Sequence, residues 1–426
     1  MRGTLFIGAA LLTTLLAAVL NLRAVIPPLQ DFNEWIYQGW IVGQILRGGD
    51  IPFEVKPWPV PNAAGQVLLG LLNLPLAPRA AGIAYATLYL GGFTWLAWRL
   101  AERDGRSDPA TFLLMLLIGG VNSPYWQGYA NSQLGLVLFM LHLLRQRRGR
   151  GSGPVWDLVL GLAMFFCHAV MLAVFALFVG LRGWRERRIP QALFVLAPSF
   201  ALLGWYVLRD ENYGEYIPLF GTTVFDFVGY KAYTAAKLGP YHNMVIGGIG
   251  DADRAPWLYW GGVAVNLAFA VVAVVPLGFA VLRDVWRGDR SPALLTALIC
   301  LSAFVVLPSA VFGVVNVGER VLVPAVLIAL ACCRDVWNLR WVGAVLALPG
   351  PAMVLYFHLI MPAVLPSGGI GHLAAHEPGQ RNRLLFWHRP FQFQAQIAAA
   401  SRGEPVRLGF TTSLLRPLSF GPKLPP

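Results

Sequence analysis

Two carboxylates stand at the edge of the first apolar run of the chain. Asp31 and Glu34 follow closely on residues 3–26, a segment that is long enough to cross a membrane. A carboxylate at that boundary is costly unless it faces water or a cavity, so the pair marks a candidate site. On a helix that begins near Asp31 both side chains share one face, and a carboxylate there has the chemistry of a general base. The alternative is a capping box, with Asp31 at the N-cap and Glu34 in the first turn.

Three cationic side chains are candidates for binding an anion. Lys56 lies in the same loop as the two carboxylates, His168 interrupts an apolar stretch, and Arg320 precedes a late apolar run. An ionisable residue inside a membrane segment is by default a hypothesis for a functional site. A guanidinium group matches two phosphate oxygens. The alternatives are a lysine at the membrane rim, a histidine hydrogen-bonded between helices, and a salt bridge between Glu319 and Arg320.

Uncharged and aromatic polar side chains are candidates for binding a sugar. Asn131 and Gln133 begin an apolar run, where they could equally cap a helix. The loop 209–256 is rich in tyrosine, glycine and charged residues, a composition suited to carbohydrate. Its candidate residues are Tyr230, Lys231 and His242.

The chain shows no strong metal or nucleotide motif. Asp251 and Asp253 form a DxD pattern, which is metal-binding in some proteins but too short to be specific. The four cysteines lie in apolar segments and have neither metal-ligand spacing nor the arrangement of a disulfide framework. No Walker motif or dinucleotide-binding turn occurs. The residues alone therefore identify no resident cofactor and leave a divalent metal open.

The composition predicts an all-α polytopic membrane protein. Hydrophobic residues make up 57% of the chain and charged residues only 13%, whereas soluble proteins have about 25% charged residues. The net charge of +12 comes largely from arginines in short loops between apolar runs. This pattern indicates positive-inside topology rather than nucleic-acid binding. Residues 3–26 lack a clear cleavage site and are expected to be a retained first helix.

The apolar runs predict about eleven membrane spans, with the N-terminus in the cytoplasm and the C-terminus outside. Residues 63–78 are too short to cross and are expected to be re-entrant or to lie at the interface. Residues 155–181 have arginines at both ends, so we expect two short helices that meet near His168. The other predicted spans are residues 3–26, 80–99, 109–123, 133–144, 190–208, 257–282, 292–312, 321–333 and 341–362.

This arrangement divides the chain into two regions. Residues 1–362 form a predicted transmembrane domain, with outer loops at 27–62 and 209–256. Residues 363–426 form a hydrophilic tail, which is expected to be a small extramembrane cap on the outer loops. No internal repeat is visible, which argues against transporters that are built from repeated halves.

The order of these features resembles the polytopic GT-C glycosyltransferases that take their sugar from a polyprenyl-phosphate carrier. Asp31 opens the first outer loop and is followed by the aromatic residue Tyr37. Residues 128–182 look like the middle of such a chain, and the sequence around Arg320 resembles the family's late arginine. Bacterial mannosyltransferase-like members often have a lysine where this chain has His168. The remaining matching stretches are Leu46-Arg47-Gly48-Gly49-Asp50-Ile51-Pro52, Pro57-Trp58-Pro59 and Gly318-Glu319-Arg320 before Pro324.

The resemblance implies a GT-C-like bundle in the bacterial inner membrane. The implied activity is inverting transfer of a sugar from a polyprenyl-phosphate-linked donor to an extracytoplasmic glycan or lipid acceptor. Asp31 would be the general base, and Arg320, with His168 and Lys56, would bind the donor phosphate. Some members of the family use a divalent metal, so a metal requirement stays open. The residues expected to bind the acceptor or sugar are Glu34, Asn131, Gln133, Tyr230, Lys231 and His242.

Two other function classes fit the same composition. A transporter or flippase of a lipid-linked or envelope-polysaccharide precursor would share the spans and the buried charges. It should also show paired repeats or helices broken at matching positions. A non-catalytic GT-C-like subunit of an envelope-polysaccharide assembly system would share the whole pattern without activity. A glycosyl product would indicate the transferase. Substrate movement without such a product would indicate the transporter, and neither outcome would indicate the non-catalytic subunit.

Overall fold

The fold is that of a computed structural model of the chain, and it is mostly helical within the residues that the structure describes. The all-α prediction is therefore confirmed. The described residues are 2–23, 29, 31–103, 106–149, 153–209, 223–239, 256–308, 310–311, 314–315, 317–333, 339–352, 354–355, 397–398, 400–402 and 414–418.

The N-terminal half holds nine α-helices and three short strands within the described residues. A π-helical turn, Leu116–Gly120, follows α5. In order, the elements are α1 (Arg2–Arg23), α2 (Phe32–Leu46), β1 (Phe53–Val55), α3 (Ala64–Leu72), α4 (Pro78–Leu100), β2 (Glu102–Arg103), β3 (Arg106–Ser107), α5 (Pro109–Met115), α6 (Ser123–Trp126), α7 (Ala130–Arg147), α8 (Pro154–Cys167) and α9 (Ala169–Arg185).

The C-terminal half continues with helices and three further short strands in the described part. A π-helical turn, Ala270–Val274, joins α12 to α13. In order, the elements are α10 (Ile189–Arg209), α11 (Val224–Ala236), α12 (Pro256–Phe269), α13 (Val275–Trp286), α14 (Pro292–Val306), β4 (Ala310–Val311), β5 (Val314–Val315), α15 (Val317–Cys332), α16 (Leu339–Ala347) and β6 (Leu415–Pro417).

Four segments of described helix are long and apolar enough to cross a membrane: Gly3–Leu22, Pro78–Leu100, Ile189–Arg209 and Trp260–Trp286. These four helices are consistent with a membrane protein by length and composition, and the count of about eleven spans stays a prediction. Several predicted spans are short helices here, because the chain breaks or turns within the apolar run.

The predicted break near His168 is confirmed. The backbone of His168 is extended, with φ −167° and ψ 134°, between the end of α8 and the start of α9. The ring nitrogen Nδ1 accepts a hydrogen bond of 3.1 Å from the backbone N–H of Val170. The histidine is thus the N-cap of α9, a position that leaves its other ring nitrogen, Nε2, directed elsewhere.

The short helix α3 packs closely against α2. A Cβ atom added to Gly39 would lie 2.4 Å from Cβ of Leu69, and one added to Gly70 would lie 2.5 Å from Cγ1 of Val42. Glycine at both positions allows the two backbones to approach. The expectation that residues 63–78 do not form an ordinary span agrees with this nine-residue helix.

The end of the tail pairs with the first outer loop. Strand β6 runs antiparallel to β1, with Glu54 opposite Arg416. Their side chains form an ion pair of 2.7 Å. Residues 406–410, in which apolar and polar or glycine residues alternate, lie outside the described residues. The pairing fixes residues 414–418 beside the segment that connects α2 to α3.

Helix α15 lies at the centre of the bundle and is buried along nearly its whole length. A helix that is apolar on all sides is expected in such a position. The long apolar helices around it expose large side chains such as Leu88, Leu193 and Phe194, as lipid-facing helices do. The burial of α15 fixes the place of Arg320, which lies in its first turn.

Candidate functional site

Arg320 and His168 contact each other, although 152 residues separate them in the sequence. The Nη1 atom of Arg320 meets Nε2 of His168. One side chain comes from the first turn of α15 and the other from the break between α8 and α9. The structure therefore brings together two of the three predicted phosphate-binding residues.

Both ring nitrogens of His168 face N–H groups. Nδ1 accepts from Val170, and Nε2 faces the guanidinium group of Arg320. A neutral imidazole has one donor and one acceptor nitrogen. The bond from Val170 to Nδ1 favours the tautomer with the proton on Nε2, which would make Nε2–H and the guanidinium group two neighbouring donors. An anionic oxygen that accepts from both donors would satisfy this arrangement, and a phosphate supplies such oxygens.

Tyr129 supports the guanidinium group from another side. The central carbon of the Arg320 guanidinium group lies 4.3 Å from the centre of the Tyr129 ring, a cation–π geometry. The Nε atom of Arg320 is buried without a hydrogen-bond partner among the described residues. The arginine is thus held in place by its neighbours and keeps donor capacity for a ligand.

The turn that carries Tyr129 rests on the backbone at Asp31. The N–H of Asp31 donates to the carbonyl oxygen of Gln127 at 2.9 Å. Gly128 has a φ of +74°, and a Cβ atom there would lie 2.4 Å from the nitrogen of Phe32 and 2.9 Å from that of Asp31. Only glycine fits this contact, which connects Asp31 to the turn beneath Arg320.

Asp31 does not cap α2. It stands at the N-cap position, but its side chain makes no capping hydrogen bond. Asp108, by contrast, accepts from the N–H of Ala110, and Thr223 forms a full capping box with Asp226. The capping alternative for Asp31 is therefore wrong. Its half-buried side chain lies where the first outer loop meets the 127–129 turn.

Glu34 is hydrogen-bonded along its own helix. Its Oε1 atom accepts from Nε2 of Gln38 at 2.6 Å. Burial, and to a smaller extent the charge of Glu34, raises the pKa of the Tyr37 hydroxyl well above its usual value. Glu34 thus contributes negative charge to the same face of α2 as Asp31.

Glu319 pairs with Lys237 and not with its neighbour Arg320. Its Oε2 atom accepts from Nζ of Lys237 at 2.6 Å, and both side chains are almost fully buried, with 1% and 3% exposed. The predicted alternative of a surface salt bridge between Glu319 and Arg320 is wrong. The buried pair fastens α11 to the turn that carries Arg320.

Tyr230 and Lys231 have different places on α11. Tyr230 is buried, and burial raises the pKa of its hydroxyl. Smaller effects follow: Thr234 lowers this pKa, Glu319 raises it and Arg320 lowers it. Lys231 donates to carbonyl oxygens at the end of α14, and burial lowers its pKa to about 8. Tyr230 therefore lies near Arg320, whereas Lys231 serves as a cap for α14.

Asn131 and Gln133 make bonds that hold helices together. The Oδ1 atom of Asn131 accepts from the N–H of Gly65, and Nε2 of Gln133 donates to Oδ1 of Asn122 at 2.7 Å. Both side chains are buried, and neither caps α7. These contacts connect α7 to α3 and to the turn before α6.

The other predicted residues are not brought to Arg320 by any contact described. The backbone N–H of Lys56 donates to the carbonyl oxygen of Leu414, which places this residue at the strand pair. His242 and the DxD aspartates, Asp251 and Asp253, lie outside the described residues. Within the described part of the chain, no group of three or more His, Cys, Asp or Glu side chains could hold a metal ion.

A narrow aromatic cleft, with an open volume of about 20 Å³, lies beside the 128–130 turn and the start of α2. The hydroxyls of Tyr85 and Tyr89 donate to backbone carbonyls, and that of Tyr125 accepts from Asn21. The cleft is therefore lined by rings rather than by polar groups. Its aromatic residues are Phe32, Tyr85, Tyr89, Tyr125 and Tyr129.

A larger pocket, with an open volume of about 190 Å³, lies at the other end of α7, α8 and α9. It contains the buried carboxylate of Asp157, which is bonded to Arg182. This pocket belongs to the arginine-rich ends of the helices, and Asp31 and Arg320 do not line it.

The sequence did not predict the contacts of the 127–129 turn with Asp31 and Arg320. The only local signal of this turn is the glycine in Gln127-Gly128-Tyr129. The importance of this turn follows from contacts with α2 and α15, which are distant in the sequence. Comparisons of the chain with protein-family models, with curated proteins and with solved structures gave no match.

Proposed function

We propose that this protein is a GT-C-type glycosyltransferase of the bacterial inner membrane. It transfers a sugar, with inversion, from a polyprenyl-phosphate-linked donor to an extracytoplasmic glycan or lipid acceptor. One observation carries the proposal. Arg320 is held between His168 and Tyr129, and the turn that carries Tyr129 is hydrogen-bonded to the backbone N–H of Asp31.

In this reaction Asp31 takes the proton from the acceptor hydroxyl as its oxygen attacks the anomeric carbon. The bond between the anomeric carbon and the phosphate oxygen breaks on the opposite face. The electron pair leaves on that oxygen as polyprenyl phosphate, and the anomeric configuration inverts. Donors fixed in a water-poor site stabilise such developing charge more than water does.

The phosphate role rests on the donor conflict at His168. The guanidinium group of Arg320 and Nε2 of His168 are in contact, and with the proton on Nε2 a phosphate oxygen beside the pair would accept from both. The hydrogen bond from Val170 sets the tautomer that makes Nε2 a donor. A histidine in this position therefore supplies an N–H donor, as the lysine of mannosyltransferase-like proteins would.

The aromatic cleft supports a lipid-linked or sugar-bearing substrate. It offers ring faces beside Asp31, and three of its tyrosine hydroxyls are already used by the protein. Apolar hydrogens of a sugar or an isoprenoid chain pack well against such rings.

The test is a transfer assay with purified protein in liposomes. The donors are radiolabelled polyprenyl-phosphate sugars, including the mannose derivative, and the acceptors are a panel of alkyl glycosides. We expect a glycosidic product with inverted anomeric configuration, identified by NMR. Movement of labelled donor between leaflets without a product would favour the flippase, and neither outcome would favour a non-catalytic subunit.

A matched pair of arginine variants makes this assay specific. Arg320→Lys keeps the charge but loses the planar fork and part of the stacking on Tyr129, so transfer should fall about 100-fold. Arg283→Lys is the control, because Arg283 pairs with its neighbour Asp284 at the end of α13. Equal effects of the two substitutions would argue against a phosphate site at Arg320.

A further inference from the structure

A chain of hydrogen bonds connects Glu34 to the C-terminal strand. Nε2 of Gln38 donates to Oε1 of Glu34 at 2.6 Å, and Nε2 of Gln66 donates to Oε1 of Gln38. The backbone N–H of Leu414 then donates to Oε1 of Gln66 at 3.0 Å. Both glutamines are fully buried. The chain therefore crosses from α2 through α3 to residues that lie 348 positions away from Gln66.

The direction of every bond in this chain is fixed by its two ends. A carboxylate only accepts hydrogen bonds, and a backbone N–H only donates. Gln38 must therefore present its NH₂ group to Glu34 and its oxygen to Gln66. Gln66 must in turn present its own oxygen to Leu414. No amide can rotate without leaving two donors or two acceptors face to face.

We propose that Gln38, Gln66 and the C-terminal strand position the carboxylate of Glu34 so that it binds a hydroxyl group of the acceptor sugar. This inference rests on the proposed function. Glu34 lies three residues after Asp31, so the two carboxylates share one face of α2. A carboxylate has about four acceptor sites and can hold Gln38 and a sugar hydroxyl at the same time.

The partners of the tail strand support a positioning role. The strand is anchored to the segment between α2 and α3 by backbone bonds at Leu414 and at Leu418. The backbone N–H of Lys56 donates to the carbonyl oxygen of Leu414 at 2.8 Å, and the backbone N–H of Leu418 donates to that of Pro52 at 3.0 Å. Residues distant in sequence are thus joined to the segment that follows α2, the helix that carries Glu34.

The test uses the fixed polarity of the chain. Gln66→Glu accepts from Leu414 but cannot donate to Gln38, so the chain is broken and thermal stability should fall. Adding Glu34→Gln lets Gln38 rotate, donate to position 66 and accept from position 34. The double variant should therefore recover much of the lost stability with every bond reversed. Independent, additive effects of the two substitutions would overturn the coupling.

The functional part of the test compares kinetic constants for the alkyl-glycoside acceptor. In the double variant the charge has moved from position 34 to position 66, so acceptor KM should stay at least about tenfold above that of the wild type. The kcat value and the donor KM should change little. A double variant with the acceptor KM of the wild type would overturn the role of Glu34.

Gln66→Met keeps the test falsifiable if the glutamate variants do not fold. It preserves side-chain volume, removes both hydrogen bonds and should raise acceptor KM with little change in kcat. Gln146→Met is the control, because Gln146 lies at the C-terminal end of α7, away from the hydrogen-bond chain. Its acceptor KM should match that of the wild type. Unchanged acceptor KM in Gln66→Met would overturn the positioning role. If the wild type makes no glycosyl product, the proposed function fails, whereas the stability cycle still tests the hydrogen-bond chain.

Discussion

The guanidinium group of Arg320 lies against the imidazole of His168, at the point where the central helix begins and the α8–α9 pair is broken. Each residue is held by a second contact. Val170 donates to Nδ1 of the histidine, and the Tyr129 ring stacks on the arginine. The two donors are therefore preorganised to meet an anion, which is the property that a phosphate-binding pair requires.

His168 has two separable roles, and two substitutions should divide them. His168→Asn keeps an acceptor for the N–H of Val170, so the cap of α9 and the stability should persist. The variant loses Nε2–H, and we expect donor KM to rise about tenfold or more. His168→Ala should lose the same affinity and also about 1 kcal/mol of stability. Donor kinetics of His168→Asn equal to those of the wild type would remove the histidine from the site.

Gly128 should be far less tolerant than another glycine with the same backbone. Gly128→Ala places a Cβ atom 2.4 Å from the nitrogen of Phe32, so it must displace the turn from Asp31. A displacement of about 1 Å at a catalytic group costs about 100-fold in rate. The measurement is kcat/KM for sugar transfer, together with thermal unfolding.

Gly48→Ala is the matched control for Gly128→Ala. Gly48 has a φ of +72°, and nothing lies within 4 Å of an added Cβ atom. The cost of left-handed backbone, about 1–2 kcal/mol, should appear in both variants. Loss of activity should appear only in the first, and equal activities would show that the contact with Asp31 is not needed.

The ion pair between Lys237 and Glu319 should respond to single and double substitution in opposite ways. Lys237→Met leaves the buried carboxylate unpaired and should lower the free energy of unfolding by about 3–5 kcal/mol. Adding Glu319→Gln removes the stranded charge and should restore most of that loss. Unfolding in mixed micelles measures both. A double variant less stable than Lys237→Met would contradict the assigned pairing.

Local sequence patterns predicted the elements that form from neighbouring residues. The helix that begins beside Asp31 ends at Leu46, where Arg47, Gly48 and Gly49 turn the chain. The break at His168 followed from arginines at both ends of one apolar run. In each case the information lies within a few turns of the chain, and charge and glycine placement are enough to read it.

Long-range partners were not readable in the same way. Glu319 and Arg320 are adjacent and of opposite charge, so a mutual salt bridge was the natural expectation. In the fold they point to Lys237 and His168, which approach from other helices. The contact between Gln66 and the tail likewise depends on the packing of β6 onto β1. A single sequence carries no signal for such pairings.

The number of membrane spans was the feature hardest to predict from the sequence. Hydropathy does not distinguish a helix that crosses a membrane from a short apolar helix buried in the bundle. α8 and α14 are apolar but shorter than the four candidate spans, and α15 is enclosed by protein. Burial by neighbouring helices and burial by lipid produce the same composition.

Asp31 and Asp108 provide the sharpest comparison for the catalytic base. Both stand at helix N-caps, but only Asp108 forms a capping bond. Asp108→Asn keeps that cap, because asparagine caps as well as aspartate, and it should retain both stability and activity. It is therefore the control for the same chemical change at position 31.

The most direct measurement is the rate of sugar transfer by Asp31→Asn in liposomes that contain a polyprenyl-phosphate sugar and an alkyl glycoside. Loss of a general base lowers rates by about 10²–10⁴-fold, so we expect a decrease of that size with donor KM little changed. Asp108→Asn should transfer sugar at the rate of the wild type. Transfer by Asp31→Asn at that same rate would contradict the assignment of Asp31 as the base.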